Sequence, residues 1–231
     1  YRYGITVNSI KQSQTMFARR AFELMASNTI VVSNFSKGLR MFFGDLVISS
    51  DSIVELERRL RPLCEDETLY RRQRLLALRC VLTHHTYKHR LAYIASKASG
   101  CNVEVSMPRI CMFGEPATDD EKYRLLDAFE RQTYHNAELV LIGRPNQSID
   151  SKQRVIWFPD RIALIGHLNS YDYVAPVSAA DYYGHDYLMD LVLSTSFANG
   201  DAVTKAAYFI ANNGGTVRLE GNGLQYQKID Q

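Results

Sequence analysis

Long apolar runs, an excess of charge of one sign and closely paired cysteines are all missing from this chain. No apolar stretch approaches the roughly 20 residues of a membrane-spanning helix, and no signal peptide pattern is present. The formal net charge is only +2 over 231 residues. We therefore expect no transmembrane segment, and the bulk charge indicates neither nucleic acid nor an anionic membrane as a partner.

The cysteines are too irregularly spaced for a disulfide framework or a zinc site. Cys64, Cys80, Cys101 and Cys111 include no closely spaced pair. This spacing favours free thiols in a reducing environment, so we expect a cytoplasmic protein.

The overall amino-acid composition is that of an ordinary globular protein. The chain is 46% hydrophobic and 23% charged, which leaves room for one large or two small domains. A strand pattern, "YGITVNS", begins almost at Tyr1, without an initiating Met. We therefore expect a piece cut from a longer protein.

Strand and helix patterns alternate along the chain. The first part has the strands "GITVNS", "TIVVSN" and "DLVISS", separated by the helix "TMFARRAFELMAS" and a short helical turn, and further helices follow. The second part has the strands "RICMFG" and "AELVLIG" around the helix "DDEKYRLLDAFERQ", then a loop, "RPNQSIDSKQ". The short elements "RVIWFP", "IALIGHL" and "YDYVAPV" follow, then a helix after Gly184 and a strand, "AVTKAAYFI". Strands separated by helices imply parallel sheets. The predicted fold class is α/β, with two Rossmann-like units that have mainly parallel sheets, each of them partial.

Small residues and helix caps mark the boundaries of these elements. The stretch "SKASGCN", residues 96–102, is the predicted linker. We therefore assign residues 1–98 to one domain and residues 99–231 to another. Asp51 or Ser52 is expected to cap the helix "IVELERRLRPL", and Thr86 is expected to cap the helix "YKHRLAYIASK".

Three charged residues stand out in "TMFARRAFELMA", residues 15–26. Arg19, Arg20 and Glu23 lie on or beside its polar face. One interpretation is a solvated face with an Arg19–Glu23 ion pair, a common helical arrangement. The other is a diphosphate site, because a helix that follows a strand through a polar loop directs its free N–H groups to the carboxyl edge of the sheet. Arginines one turn into that helix would neutralise phosphate, and the carboxylate would accept from ribose hydroxyls.

This stretch, continued as "TMFARRAFELMASNTIVVSN", resembles the donor-binding segment of bacterial glycosyltransferases with the GT-B fold. That family has Glu-x-Phe-Gly, then a helix ending in Glu-Ala-x-Ala, then Gly-x-Pro-Val-Val. Thr15 stands at the first glutamate, Phe17 and Ala18 at Phe-Gly, and Glu23 at the glutamate that holds the ribose. The following "KGLRMFFGDLVISSDSIVELERRL" and the spore-coat-type ending "HHTYKHRLAYI" extend the resemblance over residues 4–96. The donor-binding residues implied by it are Thr15, Met16, Phe17, Arg19, Arg20 and Glu23.

The second part resembles the start of the family-two inverting glycosyltransferases with the GT-A fold. "LLDAFERQTYHNAELVLIG" is similar to their first helix and second strand, and "DYVAPVSAADYYGHDYLMDLV" to their "DY-x-A" strand, acidic cluster and "YYG-x-x-YL-x-D" helix. The resemblance covers residues 109–210. At the family's Asp-x-Asp metal motif this chain carries Ser178, Ala179, Ala180 and Asp181. One carboxylate is a poor magnesium or manganese site, so we expect no bound metal here, whether the acids decayed naturally or were replaced.

Three further signals have structural and functional interpretations. His85 and His89 are four residues apart, but Thr86 is expected to break the helix between them and no third metal ligand is apparent. Tyr182 and Tyr183 could stack on a base or sugar, or simply pack the turn. The arginines of residues 58–74 alternate with acids, which favours a solvated helical face over an RNA patch.

The sequence therefore predicts a fragment of a glycosyltransferase. It would join the C-terminal part of a GT-B-like donor domain to the N-terminal part of a GT-A-like domain. The parent enzyme would move a sugar from a nucleotide diphosphate donor to a cell-surface glycan or related acceptor, with Mg²⁺ or Mn²⁺ as the family's metal. The alternative is a non-catalytic glycan- or partner-binding module derived from such an enzyme. The expected partners are a nucleotide diphosphate sugar and a glycan, with no nucleic acid and no cofactor held by this chain.

Overall fold

The computed structural model describes residues 1–143, 154–198, 200–212 and 215–221. The chain divides into two compact units, Tyr1–Val105 and Ser106–Gln231. Each unit has its own parallel sheet alternating with helices, which confirms the predicted α/β class with Rossmann-like units. The domain identities assigned to residues 1–98 and 99–231 stay predictions. The predicted loop "RPNQSIDSKQ" lies outside the described residues.

The first unit is a three-stranded parallel sheet in the order β1–β2–β3, with helices on both faces. Its elements in chain order are β1 Tyr3–Thr6, α1 Arg20–Ala26, β2 Ile30–Ser33, α2 Lys37–Phe43, a single 3₁₀ turn Gly44–Leu46, β3 Ile48–Ser49, α3 Ile53–Glu65, α4 Glu67–His84 and α5 Tyr87–Ser99. On one face α1 and α2 bury Met25 and Leu39 against Val31 of the sheet. On the other face Ile30 packs against Tyr70 of α4.

Helix boundaries in this unit follow from side-chain caps. The Ser52 hydroxyl accepts from the Glu55 amide and starts α3, as predicted. Thr86 starts α5, and its backbone N–H donates to Nδ1 of His89 at 3.3 Å. Helix α4 ends at His84 and α5 begins at Tyr87, so His85 and Thr86 interrupt the helix between the two histidines. The predicted break between these two histidines is confirmed.

Helix α1 begins at Arg20, and the prediction that it starts near Thr15 is wrong. The preceding residues are held by side chains instead of helical hydrogen bonds. Ser13 Oγ accepts from the backbone N–H groups of Thr15 at 3.3 Å and Met16 at 3.0 Å. The Ala18 N–H also donates to a side chain, to Oδ1 of Asn8. These local bonds compete with the helical ladder and delay its start.

Three arginines of the run pair at the helical surface with acids that alternate with them. The pairs are Arg58–Glu55, Arg61–Glu57 and Arg71–Glu67. This arrangement agrees with the solvated-face interpretation and gives no support to an RNA patch.

The second unit is a four-stranded parallel sheet in the order β6–β5–β4–β7. Its elements are β4 Ile110–Gly114, α6 Asp119–Glu130, β5 Ala137–Ile142, β6 Val155–Phe158, α7 Arg161–Leu168, β7 Tyr173–Pro176 and α8 Tyr187–Thr195. A separate antiparallel pair follows, β8 Tyr208–Ala211 with β9 Val217–Glu220. The predicted strand "AVTKAAYFI" therefore shortens to start at Tyr208, and β9 was not predicted.

The strand order of the second sheet creates a crevice. From β4 the chain adds β5 and β6 on one side and then crosses back to place β7 on the other side. The order therefore reverses between β4 and β7. In open parallel sheets such a reversal separates the loops at the carboxyl ends of the two strands and leaves room for a ligand.

Both faces of this sheet are covered by helices. Met112 and Leu139 pack with Leu125 of α6 and Leu188 of α8 on one face. On the other face Cys111 lies among residues that include Leu164 of α7. Burial of the Cys111 thiol raises its pKa to about 11. Across the described residues, no helix combines the length and apolarity that a bilayer crossing requires.

Candidate functional site

A polar loop, residues 8–19, covers the carboxyl edge of the first sheet. It begins at Asn8, whose side chain is buried just after β1. The Asn8 amide nitrogen donates to Ser33 Oγ at the end of β2, at 2.9 Å. The backbone N–H and C=O of Asn8 bond the Asn34 side chain at 2.8 and 2.9 Å. These bonds join the ends of β1 and β2.

The third strand is tied into the same edge. Ser49 Oγ donates to the backbone oxygen of Asn34 at 2.8 Å. Beyond β3, Asp51 accepts from the Phe35 backbone N–H at 3.2 Å and pairs with Lys11 Nζ at 2.9 Å. The Lys11 ammonium lowers the pKa of the Asp51 carboxyl below its usual value. The loop is therefore fastened to all three strands.

Two charged residues of the predicted donor set form an exposed ion pair. Arg19 Nε lies 2.9 Å from Glu23 Oε1, with the side chains 76% and 56% exposed. Arg20, Thr15 and Met16 are exposed beside this pair. The pair predicted by the structural interpretation is present, and it lies at the surface where a ligand could displace it.

Phe17, in contrast, anchors the loop to the core. Its ring centroid lies 5.6 Å from that of Phe22 and 5.3 Å from that of Phe42. Gly38 of α2 makes room for it, because a Cβ there would lie 2.6 Å from Phe17 Cδ1. The structure thus separates Phe17 from the exposed members of the predicted set.

His85 belongs to the same aromatic cluster. Its ring lies 5.4 Å from Phe43, and Arg90 Nη2 is 3.3 Å from His85 Nδ1. Burial, together with the nearby positive charge of Arg90, lowers the pKa of His85 to about 4. The described residues contain no group of three or more His, Cys, Asp or Glu side chains placed to hold a metal ion.

In the second unit, a cavity of about 740 Å³ lies at the reversal point between β4 and β7. The turn that follows β7, residues 177–180, lines one side, and the residues that end β4 line another. Helix α7 contributes apolar side chains, Leu164, Ile165 and Leu168. Ser178, Ala179 and Ala180 therefore face a cavity of the size that ligands occupy.

Asp181, the remaining acid of the motif, does not line this cavity. The Tyr183 hydroxyl donates to Asp181 Oδ2 at 3.4 Å and accepts from the Ser178 N–H at 2.9 Å. Tyr183 is buried, and burial raises the pKa of its hydroxyl. Tyr183 thus packs the turn, whereas Tyr182 is exposed, with the Arg131 guanidinium 4.6 Å from its ring.

The cavity is also lined by three charged residues that no sequence pattern identified, Glu115, Glu121 and Arg161. Glu115, directly after β4, forms an ion pair with Arg161, the first residue of α7. Glu121 accepts from the Ala117 N–H at 2.7 Å at the start of α6. Each follows a strand end or begins a helix at the carboxyl edge, and that position is the signal that could have identified them.

Comparison with known proteins bears on the first unit. Residues 2–96 match the family model described as glycosyl transferase-like. No curated protein and no solved structure matches the chain. The first unit is accordingly a glycosyl transferase-like domain.

Proposed function

Because residues 2–96 are glycosyl transferase-like, we propose that this chain is a fragment of a bacterial glycosyltransferase. The parent enzyme moves a sugar from a nucleotide diphosphate donor to a cell-surface glycan or related acceptor. The first unit supplies the C-terminal part of a GT-B-like donor domain. The family match is the observation that carries the proposal.

The donor site of this proposal lies on the exposed side of the loop over the first sheet. Ligands of parallel α/β proteins bind at the carboxyl ends of the strands, and this loop covers those ends. Arg19 and Arg20 would neutralise the diphosphate. Glu23 would release Arg19 and accept hydrogen bonds from the ribose hydroxyls instead. The phosphates would lie near the backbone of Thr15–Phe17. Since α1 begins only at Arg20, the arginine side chains, more than the helix terminus, supply the positive charge.

This arrangement fits what sugar transfer demands of a protein. Breaking the bond between sugar and diphosphate leaves negative charge on the departing phosphate oxygen. A positive group placed there in advance stabilises that charge in the transition state. Two exposed guanidinium groups on adjacent residues, Arg19 and Arg20, can fill this role without a metal ion.

For the second unit we propose the GT-A-like identity implied by its resemblance, without metal-dependent transfer. Ser178, Ala179 and Ala180 line the cavity, and none of them carries a carboxylate. Asp181 is engaged by Tyr183. This observation favours the alternative function for this half of the chain, a non-catalytic glycan- or partner-binding module.

Calorimetric titration of the chain with uridine, guanosine and adenosine diphosphates tests the proposal. We expect one of them to bind weakly without metal, and the Arg19→Met, Arg20→Met double variant to bind at least about tenfold less tightly, as expected for lost charged hydrogen bonds. Arg61→Met is the matched control, because Arg61 forms a similarly exposed i,i+4 pair with Glu57 on α3. Binding of glycan alone would support the module. A folded chain that binds no nucleotide would contradict the donor site.

A further inference from the structure

We propose that Asn8 is the positioning residue of the polar loop of residues 8–19, the donor loop. Asn8 fixes the backbone immediately before Arg19 to the carboxyl edge of the sheet. This inference rests on the proposed function, since it gives Asn8 a part in nucleotide binding. Neither the composition nor the resemblance singles out this residue.

Every polar group of Asn8 is used. Its Oδ1 accepts from the Ala18 N–H at 2.7 Å, and its Nδ2 donates to Ser33 Oγ at 2.9 Å. Its backbone N–H and C=O both bond the Asn34 side chain. The residue is only 5% exposed. An amide side chain offers an acceptor and a donor at once, which is what a bridge between a loop N–H and a strand hydroxyl requires.

The Ala18 bond acts at the point that matters for the arginines. Ala18 directly precedes Arg19, and the Ala21 N–H donates to the Ala18 carbonyl as α1 begins. Fixing Ala18 therefore fixes both the start of α1 and the direction in which Arg19 and Arg20 leave the backbone. The exposed arginines then bind from a loop that is already ordered, which lowers the conformational cost of binding.

The rest of the loop has anchors of its own. Phe17 packs in the aromatic cluster, and Ser13 accepts from the amides of Thr15 and Met16. Loss of the Ala18 bond should therefore loosen residues 18–20 without unfolding the whole loop. A local effect on nucleotide affinity is expected, separate from the effect on global stability.

The test compares Asn8→Ala with Ser33→Ala. Both variants break the buried Asn8–Ser33 bond, but only Asn8→Ala removes the acceptor of the Ala18 N–H. Both should unfold at lower denaturant concentration. We expect Asn8→Ala to weaken uridine diphosphate binding about tenfold and to speed hydrogen exchange of the Ala18 amide. Guanosine and adenosine diphosphates are titrated in parallel. Ser33→Ala should keep wild-type affinity and wild-type exchange at Ala18.

Asn8→Asp covers the case in which Asn8→Ala does not fold. Its carboxylate keeps an acceptor for the Ala18 N–H but cannot donate to Ser33, so its affinity should stay near that of Ser33→Ala. Loss of affinity with normal exchange at Ala18 would overturn the positioning role, as would equal affinities of Asn8→Ala and Ser33→Ala. If the Arg19, Arg20 double variant binds as well as wild type, the proposed donor site fails. If that variant loses affinity and Asn8→Ala does not, only the inference on Asn8 fails.

Discussion

Arg19 Nε donates to Glu23 Oε1 at 2.9 Å, so the two charged residues on which the donor-site prediction depends satisfy each other at the surface. An exposed pair of this kind contributes little to stability. It can therefore be opened by a ligand at small cost. The ion pair and the nucleotide site are thus compatible interpretations of the same two residues.

Glu23→Ala should separate the two roles. Because the pair is exposed, we expect the free energy of unfolding to change by no more than about 0.5 kcal/mol. If Glu23 holds the ribose, nucleotide affinity should fall by about 1–3 kcal/mol, the range for a lost charged hydrogen bond. Denaturant unfolding and calorimetry measure the two quantities on the same sample.

Glu57→Ala is the control for this change. Glu57 forms an exposed i,i+4 pair with Arg61 on α3, so the same type of interaction is removed away from the loop. Its nucleotide affinity should equal that of the wild type. Equal affinity of the Glu23 variant would remove Glu23 from the site.

The second unit should bind neither Mg²⁺ nor Mn²⁺ appreciably. Magnesium is held in proteins through one or two carboxylates together with substrate phosphates, and Asp181 is engaged by Tyr183. Ser178 and Ala180 line the cavity, so Ala180→Asp, alone and with Ser178→Asp, should place carboxylates there. Mn²⁺ binding with and without uridine diphosphate is the measurement. Strong metal binding by the unaltered chain would contradict this prediction.

Stability should fall in acid because of His85. Burial lowers its pKa from 6.5 to about 4, and the neighbouring charges of Arg90, His84 and His89 act in the same direction. The unfolded chain therefore binds a proton at a higher pH than the folded chain does. The contribution is fully present above about pH 6.5 and is lost as the pH falls towards 4.

His85→Leu isolates this effect. The unfolding free energy of the wild type minus that of the variant should fall by about 1 kcal/mol from pH 7 to pH 4.5, after allowance for solvent screening. Carboxylates that titrate in this range contribute equally to both proteins and cancel. A difference that stays constant with pH would show that His85 titrates normally.

Gly38 and Gly166 should respond to alanine with opposite signs. A Cβ on Gly38 would lie 2.6 Å from Phe17 Cδ1 and 2.9 Å from the backbone oxygen of Gln14. We expect Gly38→Ala to destabilise by about 1–3 kcal/mol, as overpacking does. Gly166 lies inside α7 with no atom within 4 Å of the added Cβ. Gly166→Ala should stabilise by about 0.5–1 kcal/mol, and thermal unfolding compares the two.

Sequence patterns predicted the elements better than their ends. Strand–helix alternation predicted both parallel sheets, and Ser52 and Thr86 marked helix starts because their side chains are good N-caps. The start of α1 was placed too early, since the apolar spacing of residues 15–26 continues through a loop that Ser13 and Asn8 hold in a non-helical form. Strand β9 escaped prediction because a short exposed strand has no buried face to impose alternation.

The chain's own sequence determined the fold class, the exposed Arg19–Glu23 pair and the missing acids at residues 178–180, because periodicity, i,i+4 spacing and residue type act locally. Only the tertiary structure decided that Asn8 fastens the donor loop, that Phe17 faces the core, and that Glu115 and Arg161 meet at one cavity. The contacts of Asn8 with Ala18, of Phe17 with Phe42 and of Glu115 with Arg161 join residues 10, 25 and 46 positions apart. Their distances are fixed by strand order and packing, which no local pattern encodes.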